Sequence, residues 1–468
     1  MVVFLAGAIT GFAVVGAPLL AWSMVGIAAA AALFLAPPYL RIMAVVLSAA
    51  CSRLLVATGL VSNFANFFHF PLALGVGLLA MREPSRRSPV RRTLGLGLLG
   101  LLVIALISWL MNGGDVLRPF LDWLVFAEPL LIIYAIIVMP PARTSSRFLW
   151  GLVFVITSAQ VPLAVYQAFT LGLGDPVQGF FIGAGAGAHV AGAVSLVGSL
   201  VCIARARDKE NLASIAAWLL CAAVLFLVAI IADAKQVVIA FLPAVILIIL
   251  VSMRRRIAWV VIALPIFAVV LFAVFSLYPP LQRALDWALI NRGAQGKVGS
   301  FALIAGRLST GWTRWLIGLG PGNSVSRVAI MGLEAMVKHD SPVYLLGLQP
   351  AATTVELWNL TASSRFFASS SVWSFISSWM GLLGDLGIAG FGVFVWMLVT
   401  IWLNLRGRSG WEQAAARGAF LMMILLAFFY SWLEEPGYTL MAALVIGLGS
   451  AAGYRDLSGA VSLPEDEK

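Results

Sequence analysis

The stretch LFLVAIIADAKQVVIAFL, residues 225–242, is the most direct indication of the fold. Its apolar halves are separated by only three residues, Asp233-Ala234-Lys235, so a very short polar hairpin joins two long apolar runs. A helix needs about 20 apolar residues to cross a bilayer, and both halves extend outward to that length, at 212–232 and 236–252. The stretch therefore predicts two membrane-spanning helices connected by a tight turn.

Runs of the same kind recur along the chain and predict an all-α polytopic membrane protein. We expect about fourteen spans, or twelve to thirteen if the first two short runs are counted differently. Composition agrees, because 62% of the residues are hydrophobic and 11% are charged, whereas soluble domains contain about 25% charged residues. The predicted spans are 2–17, 18–36, 41–60, 65–81, 94–111, 119–139, 148–170, 183–204, 212–232, 236–252, 257–277, 372–403, 417–434 and 438–453.

Lysine and arginine are distributed unevenly among the short loops, and this distribution predicts the orientation. Alternate loops are rich in cations, and the loops between them are nearly free of them. Both termini are therefore expected in the cytoplasm. The net charge of +10 lies mainly in these loops and does not indicate nucleic-acid binding. The cation-rich loops are 82–92, 143–147, 205–209, 254–256 and 406–408.

The predicted organisation has four parts. Residues 1–277 form a bundle of about eleven spans, and residues 278–370 form one large extracytoplasmic loop. Residues 371–453 form about three further spans, and residues 454–468 form a short cytoplasmic tail. The large loop carries eight Lys or Arg residues against four acids, so an anionic ligand at the outer membrane face is expected.

The large loop contains two features with predicted roles. Residues 299–317 are expected to form an amphipathic helix that presents Arg307 and Arg314, seven residues apart, on one face. A turn follows in which glycines allow positive φ angles and a close approach of the backbone to a ligand. The residues of this turn are Gly318, Gly320, Gly322 and Asn323.

Asp385 stands alone among glycines and apolar residues where the chain returns to the membrane, in GLLGDLGIAGF at 381–391. A carboxylate in this setting has two interpretations. It either satisfies backbone groups at a helix break or orients an arginine of the loop.

The order of these features resembles the O-antigen ligase and polysaccharide polymerase family. The resemblance is carried by the arginine-bearing segment, the turn GLGPGN at 318–323 and the re-entry DLGIAG at 385–390. It covers about residues 180–400 in motif and the whole chain in hydropathy. It implies a GT-C-like membrane glycosyltransferase with one large periplasmic loop before the last few spans.

The resemblance also implies the substrates and the setting. The donor would be a polyprenyl-pyrophosphate-linked glycan, and the acceptor a glycan or lipid. The reaction would be polymerisation or ligation in O-antigen or exopolysaccharide biosynthesis. The protein would lie in the bacterial cytoplasmic membrane, among membrane lipids and other proteins of envelope polysaccharide assembly.

Two residues correspond to arginines of that family. Lys235 occupies the place of an Arg in a short outer loop, which keeps the charge but loses the bidentate geometry. Arg307 corresponds to the Arg of the large loop. The His that ligases carry near the re-entry has no counterpart around 369–373, and His339 is the only His of the loop. This departure favours a polymerase or exopolysaccharide-type relative.

The pyrophosphate of such a donor needs positive charge, and five residues are candidates to supply it. Lys235, Arg307 and Arg314 are the principal ones, and losing Arg307 should lower the rate by a factor on the order of a hundred or more. His189 begins a span, where a helix N-terminus favours anions. Arg53 lies near the outer end of its span.

The acceptor hydroxyl needs a base, and the candidates are His339, Asp385 and Glu356, with Asp340 as a further one. His69, between two phenylalanines, is interpreted as structural. Apart from Glu434-Glu435, the outer loops contain no paired acids for a divalent cation, so we expect metal-independent chemistry and no cofactor.

Two other functions remain open. A transporter or flippase of a lipid-linked or anionic solute would show charges in mid-span and discontinuous helices in corresponding positions of two halves. A non-catalytic scaffold of an envelope assembly would show neither activity. An assay with a polyprenyl-pyrophosphate glycan distinguishes these classes.

Overall fold

The computed structural model describes residues 35–253, 287–362 and 376–461, apart from short gaps at 60, 62, 84–88, 184–185, 338–341, 346 and 407–409. Within these residues the chain forms sixteen α-helices and two short 3-10 helices, and no strand. The α-helices are α1 Pro38–Ala57, α2 His69–Arg82, α3 Pro89–Asn112, α4 Arg118–Val138, α5 Arg143–Leu171, α6 Gly187–Arg207, α7 Leu212–Ile231, α8 Lys235–Met253, α9 Trp287–Leu308, α10 Trp312–Ile317, α11 Arg327–Val337, α12 Pro342–Leu345, α13 Ala352–Ala362, α14 Ser378–Leu405, α15 Trp411–Phe429 and α16 Pro436–Val461; the 3-10 helices are Asn63–Phe67 and Trp432–Glu434.

The described part of the chain confirms a polytopic α-helical membrane protein. Nine segments there are long and apolar enough to cross a membrane, and two shorter apolar helices, Lys235–Leu250 and Pro436–Ala452, accompany them. Each of the eleven spans predicted between residues 41 and 253 or 372 and 453 coincides with one of these helices. The spans predicted at 2–17 and 257–277, and all but the end of 18–36, lie outside the described residues.

The helices α4 and α6 occupy the centre of the bundle. In their apolar windows, 89% and 94% of the residues are buried inside the protein, compared with 28% in α7 and 33% in α1. A helix that is apolar on all sides is stable in the interior, whereas a helix at the periphery turns part of its surface toward lipid. The central helices therefore provide the fixed frame for the groups at their ends.

Local sequence determines several helix starts. Pro38 and Pro119 stand in the first turns of α1 and α4, where a proline costs no helical hydrogen bond. Asn211 caps α7, because its side-chain oxygen accepts the backbone N–H of Ala213 at 3.0 Å. Pro436 begins α16 directly after the acidic pair of the preceding turn.

Within the described residues, helix ends beside three of the cation-rich connections meet at one end of the bundle. The guanidinium of Arg205 lies 3.8 Å from the ring centroid of Trp411, and Asp208 accepts the backbone N–H of Trp411 at 3.1 Å. Trp150 donates to Glu412 at 3.1 Å in the same region. Contacts between these connections support the predicted alternation of ends, and the orientation relative to the cell stays a prediction.

The opposite end, formed by the connections at 112–118, 172–186 and 430–436, is the cation-poor end. Residues 287–362, here called the covering segment, pack against it. Lys297 attaches this segment to the bundle, because its ammonium group donates to the carbonyls of Ile376 and Phe429 at 3.1 and 2.7 Å. Arg118 at the start of α4 donates to Asn323 at 2.6 Å and to the carbonyl of Gln349.

The predicted single helix over 299–317 is wrong. Helix α9 ends at Leu308, and α10 begins only at Trp312. The Ser309 and Thr310 hydroxyls donate to backbone carbonyls of the last turn of α9, at 2.8 Å each, and Gly311 is extended. Side chains of this kind compete with helical hydrogen bonds. Arg307 and Arg314 consequently lie on different helices.

Candidate active site

A buried carboxylate joins two arginines from distant parts of the chain at the cation-poor end. Glu435 accepts from Arg53 of α1 at 2.8 Å through one oxygen and from Arg327 of α11 at 2.5 Å through the other. Its side chain is 4% exposed, whereas those of Arg53 and Arg327 are 19% and 24% exposed. Each guanidinium carries five N–H groups, so both arginines keep donors for a ligand.

The arginines line a cavity of about 350 Å³ between the bundle and the covering segment. One wall is polar and contains the arginine pair, and the other is apolar. The end of α1, the 3-10 helix before α2, the start of α2, the loop before α6, helix α11 and the turn before α16 all contribute. The apolar wall includes Val56, Phe67, Phe70, Ile330, Met331 and Val343.

His69 also borders the cavity and forms a pair with Glu128 of α4. The Nδ1 atom of His69 lies 2.5 Å from Oε1 of Glu128, and each side chain is 2% exposed. The ring of Phe70 lies 4.2 Å from the imidazole, centroid to centroid. The pair is therefore enclosed by protein, and His69 contributes to the lining of the cavity.

The deep part of the cavity has an excess of positive charge. Its lining contains the two arginines and two carboxylates, Glu435 and Glu334. Glu334 is exposed, so water screens it at the rim. Burial disfavours ionisation of Glu435, but Arg327 and Arg53 outweigh it and lower the pKa of Glu435 below its usual value. Two cations therefore face one buried ionised carboxylate, and Glu334 interacts with Arg327 from the exposed side.

The turn before α16 positions this arrangement. Glu434 accepts the backbone N–H of Arg327 at the start of α11, where a helix N-terminus favours an acceptor. Ser378 donates its hydroxyl to the carbonyl of Tyr430 at 3.3 Å and accepts the N–H of Leu433 at 3.0 Å. Adjacent residues of one turn therefore hold both the backbone and the side chain of Arg327.

Two glutamines of α5 support the loop that closes another side of the cavity. Gln167 accepts the N–H groups of Gln178 and Gly179 at 2.9 and 2.7 Å and donates to the carbonyl of Gly179 at 3.1 Å. Gln160 accepts the N–H of Phe180 at 3.1 Å. These bonds fix the loop that leads to the cavity residues Ile182 and Gly183.

Asp385 holds the predicted glycine turn. Its carboxylate oxygens accept the backbone N–H groups of Gly322 at 2.9 Å and Asn323 at 3.1 Å, and its side chain is fully buried. Gly318, Gly320 and Gly322 have positive φ angles, as the turn predicts. The close backbone approach is to α14: a Cβ atom at Gly318 would overlap the carbonyl of Asp385. Of the two interpretations of Asp385, this geometry matches satisfaction of the backbone.

The other predicted residues of the covering segment lie at the surface. Arg307 forms an ion pair with Glu356 at 2.5 Å, with side chains 48% and 41% exposed. Arg314 is exposed and donates to Thr310 at 2.7 Å. None of these three charged residues borders the cavity. His339 and Asp340 lie outside the described residues.

Lys235 and His189 belong to a separate cluster at the same end. Lys235 donates to Asp233 at 2.7 Å, and Asp233 has an unusual positive φ of 54°. His189 is close enough to Asp175, Asp233 and Lys235 for electrostatic interaction. Among the predicted pyrophosphate ligands, only Arg53 borders the cavity.

Sequence reasoning missed three members of the cavity site: Arg327, Glu435 and the pairing of His69 with Glu128. The sequence contained one signal for Glu435, because Glu434-Glu435 is the acidic pair of the predicted outer loops. Within the residues that the structure describes, no group of three or more His, Cys, Asp or Glu side chains is arranged to hold a metal ion.

The arrangement can hold a small anion between two arginines and place a histidine beside it, next to an apolar wall. Comparison of the chain with protein-family models and with curated proteins finds no match.

Proposed function

We propose that this chain is a membrane glycosyltransferase that transfers a glycan from a polyprenyl-pyrophosphate donor to an acceptor sugar or lipid. The reaction takes place in the cavity at the cation-poor end, on the extracytoplasmic face of a bacterial cytoplasmic membrane. It serves polymerisation or ligation of a surface polysaccharide. The observation that supports this proposal most strongly is the pair Arg53 and Arg327, bridged by Glu435 beside an apolar wall.

The chemistry of the donor explains why two arginines are needed. When the bond between the anomeric carbon and the phosphate breaks, negative charge develops on the pyrophosphate leaving group. Guanidinium groups form short, charge-assisted and often bidentate bonds to phosphate oxygens. Hydrogen-bond donors that are held in place before the reaction stabilise this negative charge without having to reorganise. Arg53 and Arg327 are fixed in this way because Glu435 holds both of them.

The two walls of the cavity match the two halves of the donor. The polar wall faces the pyrophosphate, and the apolar wall, which includes Phe67, Phe70 and Met331, suits the first isoprene units or the face of a sugar ring. An amphipathic headgroup is thereby oriented with its reactive carbon near the polar side.

The principal cation in this proposal is Arg327, whereas the sequence predicted Arg307. Arg307 already pairs with Glu356 at the surface, and Lys235 pairs with Asp233 in another cluster. Arg307 and Lys235 are suited to attract anionic lipid toward the site. Each of these interactions is weak, because water screens the charges at the surface. Fixed cations rather than a metal carry the leaving group in this mechanism.

The test uses purified protein in lipid nanodiscs with polyprenyl-pyrophosphate glycans extracted from the cells that produce it. We expect transfer in the presence of EDTA. Arg327→Gln and Arg53→Gln should each lower kcat/KM by a factor on the order of a hundred, the cost of one oxyanion donor. Arg327→Lys and Arg53→Lys should recover part of the lost activity, since lysine keeps the charge but cannot form the bidentate hydrogen bonds of a guanidinium.

Arg314→Gln is the matched control, because this arginine is exposed and bonds only within its own segment. It should retain activity close to that of the unchanged protein. Equal losses in Arg314→Gln and Arg327→Gln would argue against the cavity as the site, and absence of transfer by the unchanged protein would remove the proposal.

A transporter of a lipid-linked or anionic solute is the second candidate, favoured by one observation. Helix α14 is interrupted at Gly387, which has φ 65° and ψ −168°, and the buried carboxylates of Asp385 and Asp122 lie close to that break. Interrupted helices beside buried charges line transport sites. Net movement of a polyprenyl-pyrophosphate glycan across proteoliposomes, without glycan transfer, would support this candidate.

A further inference from the structure

We propose that His69 is the general base of the transfer reaction and that Glu128 is its positioning residue. This inference rests on the proposed glycosyl transfer and names the residue that activates the acceptor. The sequence predicts a structural role for His69; the observation that motivates a catalytic one is its contact with Glu128, 59 positions away.

The geometry of the pair leaves one nitrogen for the acceptor. Glu128 engages Nδ1 at 2.5 Å, and within the described residues this is the one side-chain hydrogen bond of His69. In the neutral tautomer that donates Nδ1–H to the carboxylate, Nε2 carries the lone pair, and we assign this atom to the acceptor hydroxyl. A base oriented by a third group is the general arrangement for activating a hydroxyl.

The surroundings of His69 argue for the histidine over the other bases of the cavity. Glu435 is close to His69, but arginines occupy both of its oxygens and lower its pKa, so it is a poor base. Glu334 is exposed to water and interacts electrostatically with Arg327, so solvent and a cation compete for its carboxylate. The other charged groups nearby are Glu128, which contacts the histidine, and Arg53 and Arg327, which line the same cavity.

The step balances without any further reactant. The acceptor hydroxyl gives its proton to Nε2 of His69 as its oxygen forms a bond to the anomeric carbon of the donor. The bond from that carbon to the phosphate oxygen breaks, and polyprenyl pyrophosphate leaves with the electron pair, held by Arg53 and Arg327. The imidazolium, stabilised by the Glu128 carboxylate, then returns its proton to solvent.

The experiment compares His69→Gln, His69→Ala, Glu128→Gln and Glu334→Gln in the full-length protein in nanodiscs. Transfer is measured with extracted polyprenyl-pyrophosphate glycans, and binding is measured separately with undecaprenyl pyrophosphate. General-base removal typically costs a factor of about 10²–10⁴. We expect His69→Gln to lose at least a hundredfold in kcat with little change in the affinity for undecaprenyl pyrophosphate.

Two further readouts separate catalysis from structure. Added imidazole should restore turnover to His69→Ala and leave His69→Gln unchanged, because only the alanine vacates space for the ring. Glu128→Gln should lower kcat more than it raises KM, and it should shift the acid limb of the pH profile, since it changes the group that polarises the base.

The outcomes distinguish this inference from the proposal on which it rests. If the unchanged protein performs no transfer, the proposed function fails. If it performs transfer and His69→Gln keeps its kcat, or if Glu334→Gln alone abolishes turnover, the assignment of His69 is overturned. Loss of undecaprenyl pyrophosphate binding in both His69→Gln and Glu128→Gln would make the pair structural and would overturn it as well.

Discussion

Glu434 and Glu435 are neighbours in the chain, yet their ionisation differs. The guanidinium groups of Arg327 and Arg53 lower the pKa of Glu435 despite its burial. Burial raises the pKa of Glu434 to about 8, and of its two oxygens only one accepts a hydrogen bond within the described structure. The difference comes from which side chains the tertiary structure brings to each carboxylate.

The raised pKa of Glu434 predicts a pH dependence of stability. Below about pH 4.5 the residue is protonated in both states. Between that value and about pH 8 the folded protein keeps a proton that the unfolded chain loses, so the free energy of unfolding falls as the pH rises through this window. Above it, both states are ionised and this residue adds no further slope.

Glu434→Gln keeps the neutral form at every pH and should therefore remove this contribution. We expect the melting temperature of the unchanged protein to fall between pH 5 and pH 8 relative to that of Glu434→Gln, measured by scanning fluorimetry in detergent. Parallel curves for the two proteins would contradict the assignment.

At the level of elements, the contact between the glycine turn and α14 is the main one that holds the covering segment against the bundle. Backbone N–H groups of the turn bond to Asp385, and Gly387 interrupts α14 where the two backbones touch. A Cβ atom at Gly387 would lie 2.5 Å from the carbonyl oxygen of Leu316. Only glycine permits both the positive φ angles and the contact.

Gly318→Ala should therefore destabilise the protein by at least about 1–3 kcal/mol, the range for residues forced into strained backbone conformations. Overlap with the Asp385 carbonyl adds to this cost. Gly306→Ala is the matched control, because Gly306 lies within α9 with no atom near the position of a Cβ. It should be neutral or stabilising by about 0.5–1 kcal/mol. Similar melting temperatures for the two variants would show that the contact between the glycine turn and α14 does not stabilise the protein.

At the scale of the whole molecule, the helices place one set of connections at each end, and the cavity lies at the cation-poor end. Membrane proteins retain lysine and arginine in cytoplasmic loops. The cavity and the covering segment should therefore face outward, where a donor translocated across the membrane is delivered.

Single cysteines test this orientation in a background that lacks Cys51, Cys202 and Cys221. Ser309→Cys lies in the exposed break between α9 and α10, and Thr144→Cys lies at the exposed start of α5. A membrane-impermeant maleimide added to intact spheroplasts should label Ser309→Cys and leave Thr144→Cys unlabelled until the membrane is permeabilised. The reverse pattern would place the cavity inside the cell and exclude the proposed donor.

Some features of the covering segment could be read from sequence, and others could not. Positive φ angles in the turn follow from glycine itself, so the conformation of Gly318, Gly320 and Gly322 was predictable, whereas the approach of a ligand to them stays a prediction. The helix predicted across 299–317 was wrong because hydroxyl-to-backbone bonds at Ser309 and Thr310 compete with the helix. Spacing alone does not report this competition.

The sequence by itself determined the class of the protein, and it predicts the alternation of its two ends. The length of an apolar run is a local property, and a bilayer admits chain segments only when their backbone groups are bonded internally, as in helices. The distribution of lysine and arginine among loops is equally local.

The site was decided only by the tertiary structure. Arg53 and Glu435 are separated by 382 positions, Arg327 and Glu435 by 108, and His69 and Glu128 by 59. No periodicity or motif relates residues so far apart, since their meeting depends on how whole helices pack around α4 and α6. Because that packing is not encoded in spacing, the sequence could not show that Arg327, and not Arg307, lines the cavity.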